Sequence, residues 1–148
     1  MNKARFLFLA ATSGRVLMAG LLFIAATPKL LDPASFALSV ANYRLTSPLG
    51  NYVVALWLPW LECVVALALM ISSSLARRGA WLLAIGLSGI FLIAVVSAWA
   101  RGLDIACGCF GGAEKITLRD VLLRLALLAG TIGAAWSDQA SARTPARP

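Results

Sequence analysis

The chain has 148 residues, 61% of them hydrophobic and 13% charged, with 13 Lys and Arg against 6 Asp and Glu and no His. Soluble domains carry about 25% charged residues, so the composition excludes an ordinary water-soluble domain and indicates one all-α membrane domain. The net charge of +7 does not indicate nucleic acid, because no soluble region or nucleic-acid motif carries it; topogenic charge beside a bilayer accounts for it.

The N-terminal "MNKARFLFLA" has the basic start of a signal peptide. The apolar region continues past a signal core and reaches "TPKL" without a small-residue cleavage site, so an uncleaved anchor is expected. The first membrane helix is placed at 12–31, with Arg15 and Lys29 near its ends. Long basic side chains near helix ends can reach the interface. After it, "DPASFALSVANYRL" opens with Asp32 as an N-cap and Pro33 at the first helical position. Phe36, Val40 and Tyr43 then fall on one helical face. This predicts a short interfacial helix on the outer membrane surface or over the bundle.

The second span, 51–71, lies in a run from Leu45 to Ala76 whose one charge is Glu62. The third, 79–100, is 22 residues without a charge, and about 20 such residues cross the hydrocarbon core. The fourth, 117–136, contains Arg124. The polar "SDQASARTPARP" stretch leads to a disordered tail expected over 138–148.

A four-helix bundle puts both termini and the 2–3 loop on one side. That side has Lys3, Arg5, Arg15, Arg77, Arg78, Arg143 and Arg147; the other has Lys29, Arg44, Arg101, Lys115, Arg119 and Arg124. The count decides little, but the short "SSSLARRG" loop and the N-terminal flank are purely basic. The positive-inside rule therefore assigns them to the cytoplasm and turns the 3–4 loop, with "IACGCFGG" at 105–112, toward the periplasm, where disulfides persist.

Cys107 and Cys109 flank Gly108 in this loop. A disulfide wants Cα atoms about 4.4–6.8 Å apart, which residues i and i+2 reach only where the backbone bends, and Gly108 permits the bend. The small ring is strained and so more oxidising. Arg101, Lys115 and Arg119 nearby favour a thiolate. Such a pair suits disulfide exchange with a partner protein. Two rivals stand beside it: a static staple of the loop, and a two-thiolate copper(I) site. Zinc lacks a ligand set, since the chain has no His and one further cysteine, Cys63. Cys63 lies deep in the second span and reads as a small apolar core residue.

The "CGCFGG" loop, "PKLLDPASFALSVANYRL" and "LPWLE" resemble the methylamine utilization protein MauE family, within the wider MauE/DoxX-like membrane proteins, over about Thr12 to Trp136. The resemblance implies a four-helix inner-membrane protein. It also implies help in processing or maturing the disulfide-rich small subunit of methylamine dehydrogenase, together with a periplasmic thioredoxin-like protein. Ala106 stands where the family often has an acid, which leaves Cys107 freer to hold a thiolate. The rival from another class is a small transporter or structural subunit.

Glu62 is the remaining candidate. A carboxylate in hydrocarbon is costly, so it should face the bundle interior with Lys29 or Arg124 as partner. It reads either as a proton or quinone site beside the cysteines or as an interhelical polar clamp. No cofactor other than a quinone is suggested, and the partners expected are the thioredoxin-like protein, the dehydrogenase subunit and the lipid bilayer.

Overall fold

The computed structural model describes residues 3–71, 73–103 and 117–143, with side chains from residue 9 to 142 within those ranges. Five helices and no strand form among the described residues: α1 Lys3–Leu31, α2 Pro33–Asn42, α3 Pro48–Met70, α4 Ser74–Ala100 and α5 Leu118–Arg143. Three of them contain stretches long and apolar enough to cross a membrane, Leu9–Leu31, Pro48–Met70 and Ser74–Ala100. The chain is accordingly an all-helical, multi-pass membrane protein. α5 has 26 residues, with Arg119, Asp120 and Arg124 toward its start and Asp138 toward its end.

Local chemistry sets the helix ends. Asp32 caps α2, its carboxylate accepting from the Ser35 backbone N–H at 3.0 Å, with Pro33 following at the first position. Ser47 caps α3 in the same way ahead of Pro48, accepting from Gly50 N–H at 3.3 Å. α4 ends in a Schellman turn: Leu103 N–H donates to the Ala98 carbonyl and Gly102 N–H to the Trp99 carbonyl, both at 3.0 Å. Gly102 has φ of +61°, a conformation that costs glycine little and other residues more. At the start of α5 the Asp120 carboxylate accepts from the Thr117 N–H and hydroxyl, each at 2.8 Å, a box that closes the first turn.

The long helices form a ring in which α1 lies beside α3 and α5, and α4 beside α5 and α3. Ala19, Leu22, Val65, Ala66, Leu69, Trp81, Ala84, Leu87 and Ala135 fill the centre. Small residues let the backbones approach closely. A Cβ built on Gly14 would stand 3.0 Å from the Ala134 Cβ, so α1 and α5 touch there. The outer faces are apolar, with Trp57, Leu82 and Ile93 exposed, as lipid-facing surfaces are.

The short helix expected after the first span is present as α2, and it packs along α3, with Phe36 and Ala37 buried against Ala55. Its beginning meets Phe91 at the Lys29 ammonium. Its end meets Arg101, which donates to the Tyr43 carbonyl at 2.5 Å. Phe91 and Arg101 are ten residues apart on α4, about 15 Å of helix rise. α2 therefore runs up the side of the bundle, continuing the direction of α1 after the break at Asp32. The last helix also differs from expectation. It reaches Arg143 instead of ending near Trp136, because Asp138 is held inside the bundle.

Candidate functional site

Two polar layers cross the bundle. In the first, the Asp138 carboxylate takes Arg15 Nε at 3.2 Å, Arg77 Nε at 3.2 Å and Trp81 Nε1 at 2.9 Å. Asp138 is only 4% exposed, so three donors from α1 and α4 compensate a charge on α5. Arg77 also reaches the Ile71 carbonyl at 3.5 Å, which ties in the end of α3.

The second layer holds Lys29 and Glu62. Lys29 Nζ stands 2.5 Å from Glu62 Oε1, with the side chains 2% and 1% exposed. The ammonium also lies 4.9 Å from the Phe91 ring centroid and 5.2 Å from that of Phe36, inside the range of cation–π attraction. The carboxylate is less well served. Its Oε2 has no hydrogen-bond partner among the described residues. Leaving such an acceptor buried and unpaired costs about 1–3 kcal/mol, more when it is charged, whereas ordering a water costs at most about 2 kcal/mol.

Glu62 and Lys29 line a cavity of about 70 Å³ together with Met18, Ser88, Phe91, Arg124 and Thr131. All four long helices contribute to it. A second cavity of about 160 Å³ lies on the other side of Phe91, under α2, walled by Phe36, Val40, Tyr43, Leu58 and Ile90 and almost wholly apolar. Phe91 borders both cavities and Lys29 stands against it, so this lysine and its two rings part a cavity with charged groups in a largely apolar wall from one that is almost wholly apolar.

Spacing along three helices fixes the distance between the layers. Arg15 and Lys29 on α1, Arg77 and Phe91 on α4, and Arg124 and Asp138 on α5 are each 14 residues apart, about 21 Å. Helical side chains lean toward the N-terminus, so Lys29 leans back toward the Asp138 layer and Glu62, on the antiparallel α3, leans up to meet it. In a hydrocarbon core about 30 Å thick with its edge at the Asp138 layer, the pair lies well inside.

Sequence reasoning paired Glu62 with Lys29 or Arg124, and the structure brings all three to one cavity, with Lys29 in the ion pair. Arg101 stands elsewhere. Its guanidinium holds the Tyr43 carbonyl and the Ser97 carbonyl, pinning the end of α4 to the end of α2. Cys107, Gly108 and Cys109 lie outside the described residues. The described helices place what flanks them: α4 stops at the Gly102 turn and α5 starts from Thr117. Cys63 is half-buried next to Glu62 and pairs with no other cysteine among the described residues. Asp138, Phe36 and Phe91 were not anticipated as partners of these charges.

No curated protein and no solved structure matches the chain. A family model described as methylamine utilisation protein MauE matches residues 6–137, most of the sequence and every helix of the ring. The chain therefore belongs to the MauE family.

Proposed function

We propose that this protein is a disulfide-exchanging maturation factor of the bacterial inner membrane, working through Cys107 and Cys109 with a periplasmic thioredoxin-like partner. Its client is the small subunit of methylamine dehydrogenase. α5 supplies the fourth span, its apolar stretch between Arg124 and Asp138 flanked by charges that both polar layers use. The termini and the Arg77–Arg78 turn are cytoplasmic, and the cysteine loop is periplasmic.

The observation that carries this reading is a C-G-C pair in a family tied to methylamine utilisation. Its setting supports the reading. The flanking helix ends, at Leu103 and Thr117, are both firmly built, by the Gly102 turn and the Asp120 box. Arg101 fixes the α4 end further through Tyr43. Such anchored stems suit a loop that must present thiols to a docking protein.

In the exchange, a thiolate of the pair attacks the partner's disulfide, forming one mixed S–S bond and releasing one partner thiolate. The second thiol then attacks that mixed bond. The loop ends oxidised and the partner ends as a dithiol, with two electrons transferred; the reverse direction balances in the same way.

Trapping in intact cells tests it. Either Cys107→Ser or Cys109→Ser, and not the double variant, should accumulate a reducible adduct with a periplasmic thioredoxin-like protein. Cys63→Ala should keep function. A static staple predicts no adduct and a lower protein level in both single variants. Full function in the double variant would end the redox reading.

A further inference from the structure

The wall of the 70 Å³ cavity beneath Lys29 includes one residue with an unfilled valence. Lys29 spends its ammonium on Glu62 Oε1 and on the faces of Phe36 and Phe91, so it turns no free N–H direction toward a ligand. Glu62 Oε2 is the group left open, an acceptor on a residue 99% buried. An acceptor calls for a donor. The charged groups on the cavity wall besides Glu62 are Lys29 from α1 and Arg124 from α5. α4 contributes Leu87, Ser88 and Phe91, and α2 adds Phe36 over the lysine; none of these titrates. Cys63, next to Glu62 on α3, does not line the cavity. Lys29 already balances Glu62, and Arg124 interacts with Asp120 on its own helix, so a cationic donor would add an unbalanced charge and a neutral one fits. Ser88 adds a hydroxyl to the wall and Thr131 one that already donates to the Leu127 carbonyl and is left to accept, and the space exceeds the roughly 10–15 Å³ that a water needs.

We propose that this cavity is a hydrated proton-exchange site inside the membrane domain. A water donates to Glu62 Oε2, and Glu62 takes up and releases one proton there. On uptake an O–H bond forms at Oε2 as an O–H bond of the cavity water breaks, and a proton arriving from solvent re-forms that water; on release the same steps run in reverse. No electron moves. The neighbouring lysine stays charged, held by the two rings when Glu62 is neutral. This goes beyond the disulfide reading and shares with it only the membrane setting.

Infrared spectroscopy of the full chain in lipid nanodiscs tests the site. Acidification should bring up a carboxylic-acid carbonyl band that shifts in D2O and is lost in Glu62→Gln. Glu62→Asp should retain it at a displaced position. Ser88→Leu, which fills the cavity and leaves the ion pair, should abolish the fast deuterium shift; this variant decides the matter if Glu62→Gln does not accumulate. The same band should persist in the Cys107→Ser, Cys109→Ser double variant, so failure of disulfide exchange and failure of this site read out separately. A titration with no Glu62-dependent band, or a band insensitive to D2O in the unaltered protein, overturns the proposal.

Discussion

Lys29 and Glu62 show what a single charge does in an apolar chain. Either one alone would be an uncompensated ion in the bundle, and breaking a buried pair from one side costs about 3–5 kcal/mol. Lys29→Met should therefore lower thermal stability in detergent steeply. The double change Lys29→Met, Glu62→Leu should recover most of the loss, since two apolar residues replace two desolvated charges. A double variant as unstable as the single one would mean that the cavity, not the charge, sets the stability. These two residues were legible in the sequence because a charge in an apolar run is costly and demands a partner. Asp138 was not. It follows Trp136 in a polar stretch, where an acid solvated at the end of a helix and an acid buried under two arginines look alike. The Phe rings over Lys29 were hidden for a related reason: an aromatic in an apolar helix reads as packing whichever way it faces.

At the level of elements, helix positions followed from hydrophobic run length and from the Asp32–Pro33 start, while the Ser47–Pro48 start of α3, ahead of the span expected at 51–71, emerged only in the structure. What the periodicity of α2 could not supply was its direction. An apolar face on a ten-residue helix is satisfied equally by a membrane surface and by a neighbouring helix. Burial of Phe36 and Ala37 against Ala55 on α3 and the bond from Arg101 to Tyr43 choose the second. α1 and α2 thus follow one another with a break near Lys29, the cavity lined by Glu62 lying below the break and the apolar one beside α2. The close contact of Gly14 with Ala134 has no signature in a single sequence, where a glycine in a helix reads only as a weak point.

For the whole molecule, the Asp138 layer marks one end. The Asp138 layer collects Arg15 and Arg77, and the adjoining turn adds Arg78; this is the basic end. A reporter active only in the periplasm should be silent when fused after Arg78 and active when fused after Gly112. The reverse pattern would invert the protein and leave the cysteines facing the cytoplasm. The family was legible from the cysteine loop and the blocks around Lys29 and Glu62, since those stretches carry its specific residues. The thiol geometry was not, because spacing along a chain does not set how two thiols sit, and Cys107 and Cys109 lie outside the described residues.

The ion pair also bears on how the chain is made. Lys29 leaves the ribosome 33 residues ahead of Glu62; it stands in the last turn of α1 but is buried in the bundle against Glu62, and an unpaired lysine costs up to about 2.5–3.5 kcal/mol at the centre of a span and less toward its end. The first hydrophobic segment is therefore expected to linger at the insertion machinery until the carboxylate arrives, and the two segments enter the lipid together as a hairpin. Glycosylation mapping of truncated nascent chains would register this: segments ending before Glu62 should integrate poorly, those ending after Met70 fully, and Glu62→Leu should hold the longer chains at the lower level. Integration of the short chains at the full level would show that Lys29 enters unaided.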